Sequence, residues 1–394
     1  MKILVLTSRF PYPLERGDKL RVYHQIRYLS REHKVVLCAL NDQPITTEDF
    51  EAVEPFCEKI FTFKLSKLGI GIHLLGAFFS GKPLQVAYFH RSALQKQIWQ
   101  VIQKEHPDVI YCQLPRMAAY MDGHPHTVKA LDYMDAFSAG MERRAERTSG
   151  PLKWIWAREA RKLKVFEADL EGKFALKTII SRQDRTLLPL KKPNEVRIVP
   201  NGVDTTFFTP GFPSNQSVDL VYVGNMSYFP NVRAAHFLVK ELLPILPADI
   251  RLQIAGANPS ASVKALASSQ VSVSGWLSDI RTAYASGQIF VAPLFTGTGQ
   301  QNKILEAMAM GIPCVTTELV NNAIGASPNK HVLIADTAQA FSNQIQLLRQ
   351  HPDLAGEMAT QARKFVQEHF SWEASTRKLA GWMAECLDTH DSTQ

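Results

Sequence analysis

Lys303 and Glu306 stand three residues apart behind a run of small and amide side chains, Gly297-Thr298-Gly299-Gln300-Gln301-Asn302. Small residues let a backbone approach a ligand, free N–H groups and the dipole at a helix start hold oxyanions, and a lysine adds countercharge. That chemistry suits a nucleoside diphosphate, with Lys303 on phosphate oxygens and Glu306 accepting hydrogen bonds from ribose hydroxyls. A cation in the first turn of a helix opposes the macrodipole, so Lys303 needs a reason to be there, and a diphosphate supplies one. The ordinary reading stays open on spacing alone. Gly-x-Gly is a weak motif, an early glutamate stabilises any helix N-terminus, and surface lysines are mostly solvated.

The elements that must position this pair are legible around it. Residues 289–292 form a short apolar strand that Pro293 ends, and Ile304, Leu305, Met308 and Ala309 recur at helical spacing from a start near Asn302. Gly311 with Pro313 behind it stops that helix, and 314–316 resume as a buried strand. The same alternation runs through the chain. Strand-like runs at 3–7, 35–40, 60–65, 109–112, 128–131, 178–180 and 196–199 are followed by a second set at 220–223, 252–255, 271–273, 289–292, 314–316 and 332–334. Longer, mostly helical segments separate them, which predicts α/β architecture with two Rossmann-like parallel sheets, joined near Thr205 and facing a cleft. The expected domains are 1–205, 206–370 and a last helix, 371–394, packing back on the first domain.

Other residues fall at the carboxyl ends of these strands. Gly17, after Pro11 and Pro13, precedes Asp18-Lys19-Leu20-Arg21. Either Gly17 admits a ligand while Lys19 and Arg21 meet phosphate, or it turns the chain into an Asp-capped helix. Asp132 and Asp135 follow a strand; each either orients or deprotonates a hydroxyl or caps the next helix. Asn225 follows Val223-Gly224, and Gly275-Trp276-Leu277 follows another strand, where the backbone can hold a nucleobase edge and Trp276 either flanks the ring or packs in the core. Two stretches, 64–90 and 142–173, mix basic and aromatic residues, as suits an anionic membrane surface. Acidic residues dilute the second, so a solvated helix with buried tryptophans is the competing reading.

Composition bounds the partners. A chain of 394 residues with 45% hydrophobic residues is ample for two domains, and a net charge of +7 favours anionic ligands. Nucleic acid is disfavoured, because no zinc-finger spacing, RNP-like segment or basic zipper occurs. The apolar run at the N-terminus is too short for a signal peptide, and no stretch reaches the roughly 20 apolar residues of a membrane span. Five dispersed cysteines read as reduced core residues, without disulfide or zinc spacing.

With these loops in hand, the chain resembles the family 4 glycosyltransferases of the GT-B fold. The matching pieces are the first loop through Gly17, Pro200-Asn201-Gly202-Val203-Asp204, Val223-Gly224-Asn225, Gly275-Trp276 with Asp279, and Leu305-Glu306-Ala307-Met308-Ala309-Met310-Gly311-Ile312-Pro313. Gln301-Asn302-Lys303 and Arg16-Gly17-Asp18-Lys19 look like a subgroup associated with exopolysaccharide synthesis and exosortase-type sorting. The resemblance implies a retaining, metal-independent hexosyltransferase that moves a sugar from a UDP- or GDP-sugar to a glycan or lipid-linked acceptor. No cofactor beyond that co-substrate is implied, and the expected place is the cytoplasm, peripheral on the inner face of the membrane. The implied donor-binding set is Gly17, Asn225, Gly275, Trp276, Leu277, Thr298, Gly299, Gln300, Asn302, Lys303 and Glu306, with Glu306, Lys303 and Asp135 in catalytic roles.

Three departures qualify the resemblance. Thr298 stands where the family often has a second glutamate, Asn225 and Asn231 stand where an Arg and a Lys are common, and Asp132 and Asp135 replace a frequent His. Lys303 is the natural replacement for the missing basic pair. The alternative reading is a GT-like protein that binds a nucleotide sugar or glycan without transferring it. An epimerase lacks an ordered set of proton-transfer carboxylates, and a dinucleotide oxidoreductase lacks Gly-x-Gly-x-x-Gly in the first loop.

Overall fold

The computed structural model describes residues 1–124, 127–214, 217–296 and 299–391. The chain divides into two compact units, Met1–Pro200 with Trp372–Gln394, and Asn201–Ser371. In the first, β1 (Lys2–Thr7), β2 (Lys34–Asn41), β3 (Lys59–Lys64), β4 (Val109–Gln113), β5 (Val128–Asp132), β6 (Leu176–Ile179) and β7 (Arg197–Ile198) form one parallel sheet in the order β3-β2-β1-β4-β5-β6-β7. Leu4, Leu6, Val36 and Cys38 face one buried cluster, and Ile3, Val5, Val35 and Leu37 face another. Burial on both faces is why these strands read as unbroken apolar runs.

The second unit repeats the plan. Its strands are β8 (Val218–Val223), β9 (Leu252–Ala255), β10 (Val271–Val273), β11 (Gly287–Ala292), β12 (Cys314–Thr316) and β13 (Leu333–Ile334), all parallel in the order β10-β9-β8-β11-β12-β13. Strand order reverses between β1 and β4 in one sheet and between β8 and β11 in the other. Those are the switch points where open α/β sheets bind ligands, beyond the strands' carboxyl ends.

The unit boundary lies at Pro200/Asn201, a few residues before Thr205. The Val203 N–H donates to the Phe370 carbonyl (2.8 Å), so the Asn-Gly turn is held by the second unit. The last helix, Trp372–Asp391, belongs to the first unit. There Trp372 stacks on His24 at 4.8 Å, and Leu379 and Met383 enter the cluster of Ile3 and Val22.

The helix Gly17–Leu29 is anchored to β5 by a buried ion pair. Arg21 Nε donates to Asp132 Oδ2 (2.6 Å) and Nη2 to Oδ1 (3.1 Å), and the Thr178 hydroxyl adds a bond to Oδ1 (3.0 Å). Both side chains are wholly buried, which removes Arg21 from the phosphate role allowed by sequence. Deleting one partner of such a pair strands the other charge in the core. Arg21→Ala is therefore expected to lower the unfolding free energy by about 3–5 kcal/mol in chemical denaturation, and Arg21→Met with Asp132→Leu to recover much of it.

Candidate functional site

The site of the second unit is built where β8 and β11 end. Beyond β8 the chain turns through Gly224 and Asn225 into the helix Phe229–Phe237. A Cβ on Gly224 would lie 2.8 Å from Asn231 Nδ2, and one on Gly256 only 1.9 Å from the Gly224 carbonyl oxygen, so these loops meet backbone to backbone. Asn231 is buried and closes the turn, its Nδ2 donating to the Asn225 carbonyl at 2.9 Å. Its Oδ1 accepts from the Tyr222 hydroxyl (2.9 Å) and from Lys303 Nζ (2.5 Å).

Lys303 enters from the helix Asn302–Ala309. Apolar residues Ile304, Leu305, Met308 and Ala309 pin that helix in the core, and a Schellman motif ends it. Ile312 N–H bonds the Ala307 carbonyl, Gly311 N–H bonds that of Met308, and Gly311 takes φ 72°. No side chain caps the N-terminus among the described residues. The Lys303 ammonium lies 5.5 Å from the Tyr222 ring centroid, half-buried between that ring and Asn231. Burial pushes its pKa down to about 8, against the opposing pull of Glu306. Glu306 accepts from the Tyr284 hydroxyl at 2.7 Å through Oε2, leaving Oε1 without a protein donor among the described residues. Burial raises its pKa, opposed by the Tyr284 hydrogen bond and by Lys303. An ammonium, an uncapped helix N-terminus and an available carboxylate oxygen thus share one rim.

The remaining expected residues fall around it in different ways. The Gln300 side chain clasps the backbone of Asn201, accepting from its N–H (3.1 Å) and donating to its carbonyl (2.9 Å), and Asn302 lies beside both. The Gly299 carbonyl accepts from Gln301. Asn225 is exposed and spends its carboxamide oxygen on the N–H and hydroxyl of Ser227, an Asx turn. Gly275 stands clear of neighbours, Leu277 leans on the core, and Trp276 is 74% exposed rather than buried. Thr298 lies outside the described residues.

In the first unit, Gly17 is exposed, and a Cβ there would lie 3.3 Å from Met134 Cε. Asp18 caps no helix; it binds Arg9 and Arg116 instead. Neither Asp132 nor Asp135 caps the helix Phe137–Glu146. Glu167 does so from the helix Pro151–Asp169, accepting from Phe137 N–H (2.8 Å) and the Ser138 hydroxyl (2.5 Å). Asp135 is half-buried, its side chain without a hydrogen-bonded partner among the described residues, and burial together with Asp184 pushes its pKa up to about 7 against Arg21. Among the described residues, no group of three or more His, Cys, Asp or Glu side chains is placed to hold a metal ion.

Sequence reasoning missed Tyr222 and Tyr284 as the partners of Lys303 and Glu306. A signal existed, since a phenol inside an apolar run must find a hydrogen bond when buried.

The comparisons with known proteins agree with this architecture. Residues 217–351 match the model of the family described as glycosyl transferases group 1. A protein of Klebsiella pneumoniae described as an uncharacterized 44.6 kDa protein in cps region is 20% identical, covering 94% of this chain and 96% of its own. The fold matches sucrose-phosphate synthase from Thermosynechococcus elongatus, with TM-score 0.72, 16% identity and coverage of 99% and 100%. It also matches Anabaena HepE in complex with UDP, with TM-score 0.72, 14% identity and coverage of 98% and 100%. The fold is GT-B, and the match to the glycosyl transferases group 1 model falls within the second unit.

The lowered Lys303 pKa gives a pH dependence. An anion binds the ammonium better than the neutral amine, so a diphosphate held at Lys303 is expected to bind more weakly as pH rises through about 8. Titration calorimetry with nucleoside diphosphates should show Kd rising about tenfold per pH unit above that point. Lys303→Arg should move the fall beyond the measured range.

Proposed function

We propose that this protein is a retaining, metal-independent family 4 glycosyltransferase. It moves a hexosyl group from a UDP- or GDP-sugar to a hydroxyl of a glycan or lipid-linked acceptor during bacterial exopolysaccharide or cell-surface glycan synthesis. The observation that carries the reading is the Lys303 ammonium, held by Asn231 and Tyr222 at an uncapped helix N-terminus beside Glu306. Glu306 Oε1 accepts from the donor ribose, while Lys303 and the helix N–H groups stabilise the charge growing on the leaving diphosphate. The bond between the anomeric carbon and the phosphate oxygen breaks, the acceptor oxygen bonds that carbon on the same face, and the hydroxyl proton passes to the departing phosphate. Asp135 orients the acceptor hydroxyl. Backbone at Gly275 to Leu277 holds the base, Trp276 flanks it, and Gly17, Asn225, Thr298, Gly299, Gln300 and Asn302 complete the donor contacts. Support comes from the UDP-bound HepE neighbours, one of them holding UDP-glucose, and from the relative in a cps region.

The enzyme works at the inner face of the cytoplasmic membrane. Among the described residues no helix is long and apolar enough to cross a bilayer, yet the helix Lys67–Phe79 turns Leu68 (78% exposed), Ile72, Leu75 and Phe79 (83%) outward. Exposed Trp154 continues this surface through a ring contact with Phe78, and Arg158 and Lys162 bind the carbonyls at that helix's end. Residues 59–104 contain no Asp or Glu, while Lys64, Lys67, Lys82 and Arg91 lie within them. An apolar face rimmed by cations suits anionic headgroups.

A panel of UDP-, GDP-, ADP- and dTDP-sugars, scored for binding and slow hydrolysis without added metal, tests the transferase. One donor should be hydrolysed, and Lys303→Ala and Glu306→Ala should each lower that rate by about two orders of magnitude or more. Tight binding without turnover, even with membrane extract supplying acceptors, would turn the assignment to a nucleotide-sugar binding protein. Sedimentation with phosphatidylglycerol vesicles tests the membrane face. Leu75→Glu with Phe79→Glu should abolish it while leaving melting temperature and donor hydrolysis unchanged, and undiminished sedimentation would sink that part of the reading.

A further inference from the structure

The first unit carries a cluster of arginines at its own switch point. Arg9 follows β1 and Arg116 follows β4, on either side of the place where strand order reverses. Both guanidinium groups lie over the Phe89 ring, at 5.3 and 4.5 Å, and both bind the same oxygen of Asp18, at 2.6 and 3.3 Å. Arg116 adds a bond to the Ser8 hydroxyl at 3.1 Å. Asp18 is thus shared by two cations. Arg16 adds a third charge within electrostatic reach of Arg116, and Asp42, engaged by the Tyr88 hydroxyl, is a second acid acting on it.

The backbone at the same rim is strained. Leu114, just before Pro115-Arg116, takes φ 75°, and Met134, beyond β5, takes φ 63°. Left-handed backbone without glycine persists only where its surroundings over-determine it, and it gathers at functional sites. Here the two residues pack together with Ile180. Gly17 is exposed beside Met134, close enough that a Cβ there would lie 3.3 Å from Met134 Cε.

We infer that Arg9 and Arg116 form an oxyanion subsite in the first unit, which recognises an acceptor carrying a phosphate or a carboxylate group. This rests on the transferase reading for the word acceptor, but the site itself does not. A guanidinium presents five N–H donors in a planar fork that matches both oxyanions. Arg116 uses Nε and Nη2 and Arg9 uses Nη1 in the bonds described, so donors remain for a ligand among the described residues. Burial, and after it the charge of Arg9, push the Arg116 pKa down to about 9 against the pull of Asp18. An arriving oxyanion supplies a further negative partner. The acceptor would be a sugar phosphate, a diphosphate-linked glycan or a uronic acid.

Ligand-observed NMR titration of the full chain with glucose 6-phosphate, glucuronate and glucose tests the inference. The donor site is silenced by Lys303→Ala, so that anion binding there is not counted. At least one of the two anionic sugars should bind the Lys303→Ala protein about tenfold or more tightly than glucose does, and Arg9→Gln on that background should remove the difference. Arg9→Lys, which keeps charge but loses the fork, should restore it only in part. Arg9 is partly exposed, so its variants should fold, as a thermal melt would verify; Arg116→Gln is the second variant. The tighter of the two sugars names the oxyanion. Equal binding of all three sugars, or a difference indifferent to Arg9, overturns the inference. Arg9-dependent binding in a protein that takes no nucleotide sugar leaves the subsite standing and removes the transferase reading instead.

Discussion

A parallel sheet buried on both faces has almost nowhere to put a polar side chain except beyond its strand ends. That constraint shapes both units. The helices covering each sheet seal its faces, so a polar side chain near the middle must find a partner, and several of them do so at the carboxyl rim. Unpaired groups at such depth are costly. The rim of the second unit solves this with Asn231, whose one oxygen serves both Tyr222 and Lys303. In the first unit the solution is the Arg21–Asp132 pair inside and the shared Asp18 nearer the surface.

The two rims hold their charges differently. Lys303 is a compact ammonium on a flexible stem, desolvated enough that its protonation falls within the reach of ordinary pH. Arg9 and Arg116 are planar groups that lie over one aromatic ring and share Asp18.

Long helices supply the remaining polar partners over large sequence separations. The helix Pro151–Asp169 uses Glu159 to accept from Leu84 and Gln85 N–H groups and Glu167 to accept from Phe137 and Ser138. A stretch that reads as charged and aromatic therefore has two tasks. Its glutamates cap other helices, while Trp154 is exposed and Arg158 and Lys162 bind carbonyls at the end of the helix Lys67–Phe79.

Strand order of type, helix spacing and the glycine stops were determined by the sequence alone, because burial on two faces forces unbroken apolar runs and a left-handed stop at Gly311 demands glycine. The pairing of Lys303 with a helix start was equally local, a matter of neighbours three residues apart. What decided the rest was contact between residues far apart in the chain. Arg21 lies two positions from Lys19, and nothing local says that one pairs with nearby Glu15 and the other with a carboxylate 111 positions away. Asp132 and Asp135 are alike as sequence; only the sheet places one against Arg21 and leaves the other half-buried with its pKa raised. Trp276 shows the same limit, since a tryptophan after a strand packs or projects according to what the fold sets over it. Periodicity records which face of an element is buried, whereas the identity of a polar partner is settled only when two distant elements close on each other.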